Sequence, residues 1–330
     1  MKITKKQVDK LNIELTMHIE AADYAEIERK KLAEVRRHAD FKGFRKGNVP
    51  MSLIQKVYGG QVLADAVNEV VGESLGKYID DEKLHILGEP LGSENQPEIE
   101  WTSGNDFDFV FDIALSPEIK VEVEKSDSVV NYTITSSAKE KQDMVASMKK
   151  YYEGRKEEKT DEDIEKEVAE RLEASNKDEA AWRLNKDIRD FYVAKAAVEL
   201  PEAFLRRWLL HANEGKVTEE QLDKEFPAFL EDFKWQLVRG FLMKKFGFEI
   251  EQKDIEEAAK AFVTYQYAMY GIGNVPEDMI AEAVKNVLND RKQIDRLAEQ
   301  VEDQKVLAKI KETITLKAKK ITSEKFRELK

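Results

Sequence analysis

No cysteine occurs among the 330 residues, which excludes disulfides, thiol nucleophiles and thiolate metal sites. Histidine is nearly as scarce: His18, His38, His85 and His211 are too scattered to suggest an imidazole metal cluster. No run approaches the roughly 18 apolar residues of a membrane-spanning helix, so no membrane partner is expected. The start, Met1-Lys2-Ile3-Thr4-Lys5-Lys6, has no apolar stretch of a secretory leader, and residence in the cytoplasm is the expectation. Also missing are a phosphate-cradling GxxxxGK[ST], a GxGxxG, a GxSxG and an HExxH. No pair of carboxylates stands apart in apolar surroundings that would separate their pKa values. Neither a catalytic residue nor a metal or other cofactor is therefore expected. What is abundant is charge, 36% of residues with a net charge of −12, beside 42% hydrophobic residues. That mixture is too apolar for a disordered chain and sufficient for a sizeable core in about two domains.

The first part mixes strand and helix. Ile13, Leu15, Met17 and Ile19 alternate with polar neighbours, as in a half-buried strand. Asp23 with Glu26 fits a capping box opening a helix through about Ala39. Pro50 begins a short helix ended by Gly59-Gly60, and a further helix follows from about Gln61 to Asp80. Phe107, Phe109, Phe111, Ile113 and Leu115 alternate with Asp106, Asp108 and Asp112, the strongest strand pattern in the chain. Ile119, Val121 and Val123 continue the alternation, and Val130, Tyr132 and Ile134 mark another extended piece. From about Ala138 onward the pattern is helical throughout. The acid-rich stretch Glu153 to Glu179 reads as a solvated helix or linker, and Lys305 to Lys330 as a solvated, basic helix end.

One loop concentrates unusual chemistry. Phe41-Lys42-Gly43-Phe44-Arg45-Lys46-Gly47-Asn48-Val49-Pro50 places an aromatic and two cations between glycines that permit positive φ, and Pro50 fixes the next helix start. From Arg29 to Lys46 eight basic residues stand against only Glu34 and Asp40, in a protein that is acidic overall. A positive patch with an aromatic anchor suits a phosphate-rich or acidic partner. Equally, Phe44 could be core and the loop mere punctuation, since Gly-Asn-Val-Pro recurs without cations at Gly273 to Pro276.

Gly43-Phe44-Arg45-Lys46-Gly47-Asn48-Val49-Pro50 resembles the GFRxGxxP signature of the trigger factors, bacterial ribosome-associated chaperones, with every fixed position matched. The similarity extends over the first 115 residues and more loosely over Ala181 to Lys330, including Glu199-Leu200-Pro201-Glu202-Ala203-Phe204-Leu205. The resemblance implies docking at the ribosomal exit tunnel, against a ribosomal protein and nearby RNA. Phe44, Arg45 and Lys46 would make the contacts, with Gly43, Gly47 and Pro50 shaping the loop. It further implies an α+β ribosome-binding domain over 1–115 and a mainly α-helical, elongated client-binding domain with arm-like hairpins over 181–330. That cradle would hold unfolded nascent chains without ATP. Between them, 116–180 reads as an extended connector, part of it packing with the helical domain, and a charged helical segment in place of the family's usual peptidyl-prolyl isomerase domain. No isomerase activity is expected.

Aromatics gather in the helical half, where Phe191 to Tyr270 holds 15 of them. In the helix from Phe226 to Phe246, one side carries Phe226, Phe229, Leu230, Phe233, Leu237 and Phe241, the other Trp235, Leu242 and Phe246. Such a helix is sandwiched between neighbours or leaves one side for a client. Tyr265, Tyr267, Met269, Tyr270, Ile272 and Met279, around a Gly-rich turn, are candidate client-binding residues, since Met and Tyr make adaptable contacts. Phe204, Leu205 and Trp208 form a second candidate group, although Trp208 fits a core equally well. A homodimer is plausible because unoccupied apolar surfaces can cover one another. The competing reading is a helical adaptor or ribosome-assembly factor that binds one folded partner through the basic loop.

Overall fold

The computed structural model describes residues 1–155, 158–213 and 215–329. In chain order the elements are β1 (Lys2–Gln7), β2 (Asn12–Ile19), α1 (Ala21–His38), α2 (Met51–Asp81), β3 (Ile86–Gly92), β4 (Phe107–Leu115) and β5 (Ser128–Thr135). These are followed by α3 (Ala138–Arg155), α4 (Asp161–Ala196), α5 (Glu202–Ala212), α6 (Glu219–Phe246) and α7 (Gln252–Met269). The chain closes with α8 (Glu277–Leu288), α9 (Arg291–Thr313), β6 (Thr315–Thr322) and α10 (Ser323–Arg327). An α+β region followed by a mainly helical part is the fold class the sequence led one to expect. The chain divides into two compact units, Met1–Glu118 with Glu199–Leu230, and Ile119–Val198 with Glu231–Lys330.

The first unit is built on an antiparallel sheet of order β1-β2-β4-β3. The period of two in β2 buries Ile13, Leu15, Met17 and Ile19 to 1% exposure or less, and β4 adds Phe107, Phe109 and Ile113 to the same core. Helix α2 closes that core with Leu63, Val67, Val70, Val71 and Leu75. The expected break at Gly59-Gly60 does not occur, because α2 runs unbroken through it. Two helical glycines cost about 1 kcal/mol each, less than is gained by burying Ile54 and Val62 in a cluster with Leu32 and Val49, and Leu63 in the sheet core. The capping box of α1 is also displaced, pairing Glu20 with Asp23 rather than Asp23 with Glu26. Later in the chain, α5 returns to this sheet. Arg207 binds Asp112 at 2.8 Å and the Gly92 carbonyl at 3.1 Å. The ring of Trp208 occupies the space where a Cβ on Gly88 (φ +70°) would stand, 2.9 Å away.

The second unit departs further from expectation. Ile119–Val123 is not a strand, although Val121 is buried. The basic terminal stretch is not all helix: β6 pairs in parallel with β5, from Ser128 with Thr315 to Thr135 with Thr322. The amide N–H of Thr315 donates to the Asp127 carbonyl at 2.9 Å, and Phe326 of α10 packs against Tyr132 of β5. Partners so remote in sequence leave no local signal, and a lysine-rich strand largely exposed to water lacks the apolar alternation of a buried one. Helix α6 contributes Trp235, Val238 and Leu242 to the buried side, while Phe233, Leu237 and Phe241 are half-buried.

The acidic stretch of Glu153 to Glu179 (Lys156 and Glu157 lie outside the described residues) is more than a solvated linker. Ile164, Val168 and Leu172 of α4 form an apolar seam with Met148 and Tyr152 of α3. Near the start of α4, Glu167 accepts hydrogen bonds from Lys159 at 2.6 Å and the Tyr152 hydroxyl at 2.7 Å, and pairs with Arg171 at 2.6 Å. These donors, Lys159 foremost, hold its carboxyl down at about 2, below its ordinary 4.5. Because the folded value lies below the unfolded one, the stabilisation is complete above pH 4.5 and is lost as pH falls toward 2. Amide exchange in the last turn of α3 and the first turns of α4 is therefore expected to accelerate over that window, and Glu167→Gln should abolish the dependence. An unchanged exchange profile in the variant would refute the assignment.

Candidate functional site

The loop between α1 and α2 consists of two successive tight turns. The Phe44 N–H donates to the Phe41 carbonyl at 3.0 Å, and the Asn48 N–H to the Arg45 carbonyl at 2.9 Å. Gly43 (φ +93°) and Gly47 (φ +81°) each occupy the third position of a turn, while the residues before them, Lys42 and Lys46, keep negative φ. This is the type II pattern, in which a side chain at the third position would be strained. The loop is fastened at its base: Val49 is fully buried among Leu32, Ala39, Ile54 and Val62, and Arg36 Nε donates to the Val49 carbonyl at 2.8 Å. Phe41 packs edge-on against Tyr58. Local rules thus produce a stiff base and an outward tip.

At that tip Phe44 is 43% exposed, a large cost for an aromatic ring unless something covers it. Lys42, Arg45 and Lys46 are exposed around it and make no ion pair among the described residues; neither does Arg37. The basic surface is narrower than the sequence count suggests, since Lys30 pairs with Glu26 and Lys31 with Glu69, both at 2.8 Å. What remains is an aromatic ring flanked by unpaired cations, able to combine apolar contact with phosphate or carboxylate recognition.

The candidate client residues fall into two different environments. Phe204 and Leu205 are buried at 6% and 0% exposure and belong to the core of the first unit, and Trp208 lies against Gly88. This corrects the sequence expectation for Phe204 and Leu205: the helix opened by Pro201 turns both inward, so they offer no surface. By contrast Tyr265, Met269, Tyr270, Ile272 and Met279 are 65%, 70%, 84%, 48% and 50% exposed around the turn from α7 to α8. Next to them lies a surface the sequence reading missed. Helix α8 has no fully buried residue, and its Ile280, Val284 and Leu288 line a groove of about 510 Å³ with Glu256 and Lys260 of α7. The spacing i, i+4, i+8 was the available signal. Among the described residues, no group of His, Asp and Glu could hold a metal ion, and no helix is long and apolar enough to cross a membrane.

Comparison with known proteins defines the class and then the family. A solved structure reported as "Promiscuous Substrate Recognition in Folding and Assembly Activities of the Trigger Factor Chaperone" matches 94% of this chain and 99% of its own. Its TM-score is 0.55 at 13% identity, so the two share a fold. The model of the bacterial trigger factor protein matches residues 1–148, and that of the probable trigger factor C-terminal domain matches 180–330. The chain belongs to the trigger factor family, in a form matched only by the family's N- and C-terminal domains. Trigger factor of Geobacter sp. (strain M21) is 30% identical over 155 residues, 45% of this chain and 35% of the relative. That of Citrifermentans bemidjiense is 34% identical over 121 residues, covering 37% and 27%. That of Maricaulis maris is 37% identical over 97 residues, covering 29% and 18%. The matched part thus amounts to about a third or less of each curated relative.

Proposed function

We propose that this protein is an ATP-independent chaperone that docks at the ribosomal exit tunnel and shields apolar segments of nascent or unfolded chains. The observation that carries the reading is the double-turn loop, which holds Phe44 out in solvent beside the unpaired Arg45 and Lys46. In this reading Phe44 supplies desolvated contact with a ribosomal protein and the two cations engage nearby RNA. Gly43, Gly47 and Pro50 fix the geometry. Residues 1–115 form the ribosome-binding domain, 116–180 the connector and charged helical segment, and 181–330 the client-binding domain apart from 199–230, which pack with the first unit. The apolar turn from α7 to α8 and the groove on α8 are the client surface, adaptable because Met and Tyr side chains repack at low cost. No catalytic step is assigned, and the protein acts in the cytoplasm, able to self-associate when free.

A folding chaperone should suppress aggregation of several unrelated denatured proteins without nucleotide, whereas an adaptor for one folded partner should not. Light scattering during dilution from denaturant separates the two, and activity confined to one protein would favour the adaptor. Replacing Tyr265, Met269, Tyr270 and Ile272 by Ser is expected to weaken suppression several-fold. Exposed positions of this kind change stability by only about 0.5 kcal/mol each, so the variant should stay folded. Unaltered suppression would remove the assignment of this turn.

A further inference from the structure

A cavity of about 560 Å³ in the second unit lies between β5 and α4, and Lys311 of α9 opens on it. Lys311 differs from its neighbours on the same helix. Lys305 is paired with Asp254 at 2.5 Å and Lys309 with Glu312 at 3.4 Å, whereas Lys311 has no ion pair or hydrogen bond among the described residues. Desolvation alone acts on its ammonium and holds it below the ordinary lysine range. Within the cavity the other ionisable groups are Tyr132 of β5 and Glu173 and Lys177 of α4, and none is within ion-pair distance of Lys311. Lys319 of β6 sits over the ring of Tyr132, 5.7 Å from its centre.

An amine with no carboxylate to hold its proton is a better nucleophile than the paired surface lysines. The same cavity supplies groups for an anionic leaving group: the Lys177 ammonium and the amide of Asn131. We propose that the Lys311 cavity is an acylation site for small acyl phosphates, with Lys311 as the acyl acceptor and Lys177 facing the phosphate. The Nζ lone pair attacks the carbonyl carbon and the new C–N bond forms. The bond from carbon to the phosphate oxygen breaks, inorganic phosphate leaves with that electron pair, and the nitrogen gives up its proton to solvent. No oxidant or further reactant is required.

The protein is incubated with acetyl phosphate at neutral pH, and initial acetylation rates are read lysine by lysine by mass spectrometry. Lys311 is expected to react several-fold faster than the exposed, unpaired Lys42 and Lys46. A rate at or below theirs overturns the proposal. In Lys177→Ala the Lys311 rate should fall several-fold with acetyl phosphate and hold with p-nitrophenyl acetate, which carries no phosphate. Equal effects on both reagents would overturn the phosphate seat.

Discussion

Replacing Phe44, Arg45 and Lys46 together by Ala is expected to weaken ribosome binding about 100-fold, roughly 3 kcal/mol, without loss of folded structure. The magnitude follows from the tip. An exposed aromatic anchor truncated to Ala typically costs at least about 1–2 kcal/mol at an interface, and each cation adds a charge contact. None of the three packs in the core that fixes the loop, where Val49, Phe41 and the bond from Arg36 to the Val49 carbonyl remain. Component variants should separate the contributions. Arg45→Ala and Lys46→Ala are each expected to reduce the slope of log affinity against log salt by about 1 if the cation meets a phosphate. Phe44→Ala should lower affinity at every salt concentration with the slope intact. Sedimentation of ribosomes with the protein over a salt series measures both. Binding undiminished in the triple variant would remove the loop from the docking surface, and aggregation suppression in free solution should persist in it whatever the ribosome result.

A comparably large effect, on stability, is expected at Asp127. Its carboxylate, 8% exposed, accepts hydrogen bonds from the Tyr192 hydroxyl at 2.9 Å and from Lys195 at 2.7 Å, and the Glu124 N–H at 2.9 Å. Burial pushes its carboxyl up, but Lys195, the Glu124 amide and Tyr192 outweigh this and hold it below the usual carboxylate range. Asp127→Ala strands a fully buried tyrosine hydroxyl and leaves Lys195 only Glu124, at 3.4 Å, at a cost of about 2–4 kcal/mol. Asp127→Asn keeps the oxygen that accepts from Tyr192 and the Glu124 amide but puts an NH2 in place of the Lys195 acceptor, so about 1–3 kcal/mol is expected. Urea denaturation at constant m-value checks the order of the two variants. Equal midpoints for Asn and Ala would show that the ion pair, not the tyrosine bond, supplies the stability. Since the Asp127 carbonyl also receives the Thr315 amide, the cluster ties the connector to both α4 and the start of β6.

Legibility varied with the range of the interaction. β2 and β4 could be read directly, because an alternation of apolar and polar residues has only one way to bury its greasy side. The loop was legible for a similar reason, with Gly43 and Gly47 each marking the third residue of a turn and Pro50 the helix start. By contrast Gly59-Gly60 misled, since glycine is only a weak penalty when apolar residues of the helix on both sides of it are buried. The apolar seam of α4 was hidden by the charges around Ile164, Val168 and Leu172, although their spacing of four was present throughout.

The sequence by itself determined the two-part composition, the strands whose period matches a buried face, and the chemistry of the loop, because each of these rests on neighbours along the chain. Tertiary structure alone decided that β6 is a strand beside β5, that residues 199–230 pack with the first unit, and that Phe204 and Leu205 point inward while Tyr270 points out. Those outcomes depend on which surfaces meet. Two amphipathic helices with the same pattern have different exposures when only one of them finds a partner.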